Sequence, residues 1–243
     1  MMHTVKGIIF DYGGTIDTDS VHWSEVLWDG FVAAGIPVSK DAFRDAYVFG
    51  ERTLARQPLI RPDHTMLDLL RIKVDLETQY LVDNGQWRMD NGQWTMDNER
   101  RAKSEAVARH CYDHVLQVLT TSREVLRQLA GRYPLVLVSN FYGNIQAILR
   151  DFRLEYFQAV VESAVVGIRK PDARIFQLGV EALGMDARDV VVVGDSYAKD
   201  IVPAHSLGCQ TVWVRGKGWA DEVVDEQLPT AIIRHLIQLL DLL

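Results

Sequence analysis

Three carboxylates, one hydroxyl and one amine stand where a folded chain could bring them together. Asp11, Ser139 and Asp195 each lie at or directly after the end of a short apolar run, and Asp200 follows Asp195 by five residues. A carboxylate such as that of Asp11 can attack phosphorus and form an acyl phosphate. Carboxylates are also the hard oxygen ligands that suit Mg²⁺, and Lys170 could neutralise the charge that develops in such a reaction.

The elements that must position these side chains alternate along the second half of the chain. Short β-branched runs alternate with helical patterns, which is typical of a parallel sheet built from crossover units. Strands of such a sheet end at one edge, where open α/β sheets bind ligands. We therefore predict an α/β fold with a Rossmann-like parallel sheet. The predicted strands are Gly7–Phe10, Leu135–Ser139, Ala159–Glu162, Val190–Gly194 and 211–214, and the predicted helices are 121–131, 141–152, 172–183, 197–207 and 230–242.

A long helical block interrupts this alternation after the first strand. From about residue 18 to residue 119 the strand signals are absent, and helical patterns cover 21–34, 40–55, 63–81 and 97–119. Ser39 is suited to cap the second of these helices. In the later region, Thr121 and Glu124 have the spacing of a capping box, which predicts a helix start there.

Four separated motifs resemble those of the haloacid dehalogenase (HAD) superfamily. They are DYGGTID at 11–17, SN at 139–140, RKPD at 169–172 and GDSYAKD at 194–200. Together, in this order, they span nearly the whole chain. The resemblance implies a HAD-like α/β core formed by 1–17 and 120–243, with an inserted all-α cap domain at 18–119.

The resemblance also implies a role for each matched residue. The catalytic residues would be Asp11, as the nucleophile, and Lys170. The substrate-binding residues would be Thr15, Ser139, Asn140 and Lys170. The ligands of a Mg²⁺ cofactor would be Asp11, the backbone carbonyl of Gly13, Asp195 and Asp200. On this basis we predict a Mg²⁺-dependent phosphatase that acts on a small phosphorylated metabolite through an aspartyl-phosphate intermediate.

Gly13 is the position where this sequence departs from the family pattern. In phosphatases of the family an Asp at that position protonates the leaving group and then activates water, and such a group contributes about 10²–10⁴-fold to the rate. Gly13 cannot transfer a proton. Asp17 also matches the family loop and is not an obvious substitute. His22 is a candidate, although a helix-surface or capping role fits it better.

Three other interpretations therefore stay open beside the phosphatase. One is a phosphonatase-like C–P hydrolase, which needs a cap lysine as a Schiff base. The lysines of the cap are Lys40, Lys73 and Lys103, and none has an evident apolar pocket to lower its pKa. A metal-free dehalogenase is disfavoured by the Asp195 and Asp200 pair. The third is a catalytically impaired protein that binds a phosphorylated ligand.

A tandem seven-residue duplication lies inside the predicted cap. Its copies are DNGQWRM at 83–89 and DNGQWTM at 90–96. Asn-Gly between similar segments is a hairpin signal, so a small β-excursion or an extended loop competes with a helix extension. We expect a local insertion without a catalytic role, with the paired tryptophans as an alternative contact for a partner or substrate.

The bulk composition limits the partners and the location that we expect. The chain has 243 residues, 48% of them hydrophobic, and a net charge of −7 without a basic block. This disfavours nucleic-acid binding, and no apolar run approaches membrane-spanning length. Cys111 and Cys209 are expected to be buried free thiols of a cytoplasmic protein. The expected partner is a small phosphorylated molecule, and the sequence predicts no particular oligomeric state.

Overall fold

The computed structural model describes residues 4–88, 92–216 and 224–243. It divides into two compact units, one formed by Met1–His22 with Gln117–Leu243 and the other by Trp23–Leu116. The resemblance places the boundaries a few residues away, after residues 17 and 119. The identity of the two units as core and cap domains stays a prediction.

The first unit is built on a sheet of six parallel strands in the order β3-β2-β1-β4-β5-β6. The strands are β1 Gly7–Phe10, β2 Leu135–Ser139, β3 Ala159–Glu162, β4 Val190–Gly194, β5 Gln210–Val214 and β6 Ala231–Ile233. The predicted α/β fold with a parallel sheet is confirmed. Because the strands are parallel, their carboxyl ends lie along one edge of the sheet.

The central strands are apolar throughout because both faces of the sheet are covered. All four residues of β1 are buried, as are all five of β4. Strands buried on two faces have continuous apolar sequences instead of alternating ones. On one face, Ile9 packs in a cluster with Val136, Ile175 and Phe176. This packing holds β1 in the middle of the sheet.

The helices of the first unit are mostly short. They are the end of α4 Gly92–Ala130, then α5 Ile145–Asp151, α6 Ser163–Val166, α7 Arg174–Leu183, α8 Val202–Ser206 and α9 Leu239–Leu242. A π-helical turn at Tyr197–Ile201 precedes α8. The helix starts predicted at residues 141 and 172 are thus too early, because the loops before α5 and α7 are longer than the patterns indicate. The start predicted at residue 197 coincides with the π-helical turn.

Two helix predictions are wrong for a reason of tertiary structure. The segment predicted as helix 230–242 begins with β6, because Ala231–Ile233 completes the sheet beside β5. The predicted helix start at Thr121 is also wrong, since α4 passes through it without interruption. The hydroxyl of Ser122, which is buried, donates to the carbonyl oxygen of Ile16 at 2.7 Å.

The second unit is helical. It contains α1 Trp23–Ala33, α2 Lys40–Arg56, α3 Met66–Asp83 and the first part of α4. The predicted cap of α2 is confirmed, because the Ser39 hydroxyl accepts from the backbone N–H of Ala42 at 3.2 Å. None of the helices within the described parts of the chain has the length and hydrophobicity needed to cross a membrane.

The duplicated segment lies between α3 and α4. The first copy begins at the last residue of α3, and Gly85 (φ +67°) forms the turn after it. The second copy enters α4 from Gly92 onward, while residues 89–91 lie outside the described part. The sequence leaves a hairpin, an extended loop and a helix extension open for this segment. The described residues of the second copy, Gly92–Met96, form a helix extension.

Lys73 contradicts the expectation that no lysine of this unit has an environment that lowers its pKa. Its ammonium is bonded to Glu51 and lies 4.4 Å from the centre of the Tyr47 ring. Burial lowers the pKa of Lys73 to about 8, although the nearby Glu77 opposes the shift. Glu77 is fully buried, neither of its carboxylate oxygens has a hydrogen-bond partner, and burial raises its pKa to about 7.

We expect Lys73→Met to lower the free energy of unfolding by about 3–5 kcal/mol near neutral pH, because Glu77 then loses its buried cation. Folded Glu77 binds a proton more readily than unfolded Glu77. The contribution of Glu77 to the free energy of unfolding is therefore fully present below about pH 4.5, and it is lost as the pH rises through about 7. The loss in free energy of unfolding caused by Lys73→Met should become smaller as the pH is lowered from 7 to 4.5. Urea unfolding at each pH measures this.

Lys40→Met is the matched control, since Lys40 pairs with Glu25 at 2.7 Å but its side chain is 35% exposed. A partly exposed pair of this kind contributes about 0–1 kcal/mol. Glu77→Gln should leave stability unchanged or raise it near neutral pH, because it removes a buried charge and leaves Lys73 with Glu51. Equal losses for the two lysine variants would contradict this account.

Candidate active site

The carboxyl ends of β1 and β4 bring three acids together. Asp11 directly follows β1, Asp195 directly follows β4, and Asp200 lies in the π-helical turn beyond it. One carboxylate oxygen of each lies within 4.8 Å of the others. Because β1 and β4 are neighbours in the sheet, this proximity follows from the strand order. The structure thus brings together the acids that the motifs single out.

Lys170 is the cation of this cluster. Its ammonium donates to Asp11 Oδ1 at 2.6 Å and to Asp200 Oδ1 at 2.7 Å, and its side chain is only 2% exposed. Burial alone would lower the pKa of Lys170, but the negative charges of Asp11 and Asp200 raise it above its ordinary value. Lys170 is therefore positively charged at neutral pH, with its charge held against the two acids.

Lys170 supplies one positive charge beside three carboxyl groups. Burial raises the pKa of Asp11 to about 6, against the opposing effect of Lys170. Burial, together with the charges of Asp11 and Asp200, raises the pKa of Asp195 well above its ordinary value. Further positive charge would stabilise the ionised form of these acids. Their donor atoms are the hard oxygens that suit Mg²⁺.

The loop after β1 is shaped around Asp195. Gly14 adopts a positive φ of +93°, and a Cβ atom there would lie 2.3 Å from Asp195 Oδ2. The neighbouring Thr15 hydroxyl lies 3.2 Å from Asp195 Oδ1 and 3.5 Å from Asp11 Oδ2. Asp17 accepts from the backbone N–H of Gly14 at 2.8 Å and so fixes the turn. Only a glycine fits position 14, because any side chain would displace the acid.

Asp200 reaches back to the site through the π-helical turn. Its Oδ2 accepts from the backbone N–H of Ser196 at 3.0 Å, while its Oδ1 faces Lys170. The absence of a side chain at Gly194 makes this possible, since a Cβ atom there would lie 2.5 Å from that of Asp200. The sequence pattern predicts a regular helix from residue 197, but the structure has a π-helical turn at Tyr197–Ile201.

The residues predicted to bind substrate lie at the same edge of the sheet. Ser139 is buried at the end of β2, next to β1. Asn140 bonds to the backbone of Lys170 in both directions, accepting from its N–H at 2.9 Å and donating to its carbonyl oxygen at 3.1 Å. Asn140 therefore holds the segment that carries Lys170. Gly13 is half-buried between Asp11 and Gly14, and its carbonyl as a metal ligand stays a prediction.

Two residues that contact this site have no motif signal. The Trp213 indole N–H donates to the backbone carbonyl oxygen of Asp195 at 2.8 Å. Glu162, at the end of β3, accepts from backbone N–H groups of the loop after β2. Both contacts join elements that are distant in sequence. The sequence could have indicated Glu162 and Trp213 only through their positions at or near the predicted carboxyl ends of β3 and β5.

Comparison with known proteins identifies similar chains. A family model described as haloacid dehalogenase-like hydrolase matches residues 5–208. The glyceraldehyde 3-phosphate phosphatase of Pyrococcus abyssi is 32% identical over 90 residues, which is 37% of this chain and 38% of that protein. The human haloacid dehalogenase-like hydrolase domain-containing protein 3 is 33% identical over 133 residues, which is 52% of this chain and 53% of that protein. This chain thus spans about half or less of the length of these curated relatives.

A solved structure shares the fold across nearly the whole chain. The putative HAD-hydrolase YfnB of Bacillus subtilis, in a crystal structure bound to magnesium, is 18% identical with a TM-score of 0.58, and the alignment covers 99% of each chain. At this level of identity the similarity concerns the fold alone. It agrees with the parallel sheet described above.

Proposed function

Because the chain belongs to the haloacid dehalogenase-like hydrolase family, we propose that it is a Mg²⁺-dependent phosphatase that acts on a small phosphorylated metabolite. The observation that carries this proposal is the cluster of the buried residues Asp11, Lys170 and Asp200 with the half-buried Asp195. Two anions must approach each other when a carboxylate attacks a phosphate. A site for this reaction must therefore supply positive charge beside its nucleophile.

The residues present fit a magnesium ion. Three carboxylates share a small volume with the ammonium of Lys170, and burial, together with the charges of Asp11 and Asp200, raises the pKa of Asp195. Asp11, Asp195, Asp200 and the Gly13 carbonyl would hold the ion, as the family resemblance implies. When bound, Mg²⁺ supplies positive charge that offsets the charge of the nucleophile and of the phosphoryl oxygens. The magnesium-bound YfnB structure supports this choice of metal.

The chain's own residues account for the attack. Lys170 binds Asp11 Oδ1, which leaves Oδ2 to attack phosphorus. The new O–P bond forms as the bond between phosphorus and the leaving-group oxygen breaks, and Asp11 becomes an aspartyl phosphate. Lys170 neutralises charge on Asp11 and on the transferred group. The Ser139 hydroxyl and nearby backbone N–H groups bind the phosphoryl oxygens, and water then cleaves the acyl phosphate to release inorganic phosphate.

We expect the purified protein to release phosphate from at least one class of small phosphate ester, acyl phosphate or phosphoanhydride when Mg²⁺ is present. Removal of the metal with a chelator should abolish the activity, and added Mg²⁺ should restore it, because the uncompensated acids repel the substrate without it. A colorimetric phosphate assay over a substrate panel measures this. Activity that persists unchanged in the chelator would contradict the proposal.

The same panel distinguishes the other interpretations. A phosphonatase-like enzyme would release phosphate from a phosphonate aldehyde and would be inactivated by borohydride during turnover, which traps a Schiff base. A dehalogenase would release halide from a 2-haloacid without metal. A phospholigand-binding protein would bind phosphorylated compounds in calorimetry and release nothing. Each of these results would replace the phosphatase proposal with a defined alternative.

A further inference from the structure

The loop that follows β2 is held by two consecutive residues of the neighbouring strand end. Glu162 Oε1 accepts from the backbone N–H of Gly143 at 2.5 Å and from that of Ile145 at 3.4 Å. The Ser163 hydroxyl accepts from the N–H of Phe141 at 3.1 Å and donates to its carbonyl oxygen at 3.2 Å. The loop is thus fixed at both its beginning and its end.

This loop in turn fixes Lys170. Asn140, at the start of the loop, bonds to both the N–H and the carbonyl oxygen of Lys170. The ammonium of Lys170 then lies between Asp11 and Asp200. The end of β3 is therefore connected with Asp11 through the backbone of this loop and the hydrogen bonds at its two ends.

Glu162 is an unusual residue for a purely structural task. It is 3% exposed, and no lysine, arginine or histidine among the described residues forms an ion pair with it. Burial raises its pKa, and the N–H groups of 143–145 oppose that shift. A buried carboxylate that bonds only to backbone donors is expensive. Its two oxygens can, however, hold several N–H groups of one loop at once.

We propose that Glu162 is a positioning residue of the active site, which fixes the loop 140–144 and, through Asn140, the backbone of Lys170. The catalytic part of this inference rests on the proposed phosphatase function. Glu162 acts on the phosphate-binding side of the site, formed by Ser139, Asn140 and Lys170. The acids that would hold Mg²⁺ follow β1 and β4, whereas the hydrogen bonds described for Glu162 join it to the loop after β2.

The test compares Glu162→Ala, Glu162→Gln and the core variant Val180→Ala with the wild type. We expect Glu162→Ala to lower kcat/KM for an aryl phosphate by about 10–100-fold, the effect of a small displacement of reacting groups. It should raise the inhibition constant of inorganic phosphate and leave the Mg²⁺ concentration for half-activation unchanged. Glu162→Gln keeps an acceptor oxygen and should stay close to the wild type.

Amide hydrogen exchange provides a readout that does not depend on turnover. In Glu162→Ala, exchange should become faster in 140–145 and also at the N–H of Lys170, which Asn140 accepts. Val180→Ala, which removes a buried side chain from α7, should lower the melting temperature without this pattern. Glu162→Gln, which retains the acceptor, should keep Lys170 protected and so serves if the Ala variant does not fold.

The outcomes separate the inference from the function on which it rests. If the wild type releases no phosphate, the proposed function is wrong, and exchange at Lys170 still decides whether Glu162 positions that residue. Faster exchange confined to 143–145 would overturn the inference. A loss of phosphate affinity in Val180→Ala as large as in Glu162→Ala would overturn it as well, because a general loss of stability would then explain both.

Discussion

Asp11→Asn is expected to lower phosphatase turnover by about 10⁴-fold or more, the scale of losing a covalent nucleophile. The amide has the shape of the carboxylate but cannot form the acyl phosphate. Its oxygen can still accept from Lys170, which also keeps its bond to Asp200. The folded site should therefore persist while the reaction stops. Steady-state rates on an aryl phosphate at saturating Mg²⁺ measure the loss.

A matched acid in the third motif provides the control. Asp172 stands two residues after Lys170, pairs with the exposed Arg174 and makes no contact with the acid cluster. Asp172→Asn should turn over like the wild type. The covalent intermediate can be trapped in the wild type with hydroxylamine and should be absent in Asp11→Asn. Turnover by Asp11→Asn within about tenfold of the wild-type rate would show that another group attacks phosphorus.

The sequence predicts the part of the fold that depends on local pattern. The five predicted strands are mostly apolar runs, and Asp11, Ser139 and Asp195 each stand at or directly after the end of one of them. Parallel strands place their ends at one edge, so the meeting of Asp11 with Asp195 follows from the strand pattern. The roles of these residues in catalysis and metal binding stay predictions.

The features that the sequence did not predict depend on contacts between distant segments. The segment Ala231–Ile233 has an apolar helical pattern, but pairing with β5 makes it a strand. Lys73 looks like a surface residue in sequence and becomes buried only when α2 and α3 pack. Glu162 stands at a predicted strand end but matches no motif, and its partners lie in the loop beyond the neighbouring strand. Tertiary context overrides local propensity in each case.

Gly13 predicts a specific defect in the reaction. In the proposed mechanism Asp11 and Lys170 serve the attack on phosphorus, whereas the acid that the family places at position 13 serves the leaving group and the later water. We expect the wild type to cleave aryl and acyl phosphates, whose leaving groups need no proton, far better than alkyl phosphates. The aspartyl phosphate at Asp11 should also accumulate, so that rapid mixing shows a burst of the aryl product before the steady state.

Gly13→Asp should restore part of this deficit. An acid–base group contributes about 10²–10⁴-fold, and we expect a gain of about 10-fold or more on an alkyl phosphate, with a smaller burst on the aryl phosphate. We expect position 13 to tolerate a side chain better than position 14. The positive φ and the close approach of Asp195 both concern Gly14. Gly14→Ala should therefore impair the site.

Gly13→Asn separates proton transfer from side-chain size. It matches the shape of the Asp side chain but supplies no proton, so it should show no gain on alkyl phosphates. Rates on one aryl and one alkyl phosphate, measured for the wild type and both position-13 variants, complete the comparison. A wild type that already hydrolyses alkyl esters at about 10 s⁻¹, a typical enzymatic rate, would show that another residue supplies the proton. His22 would then be the first residue to replace, because it follows the loop of the first motif by only a few residues.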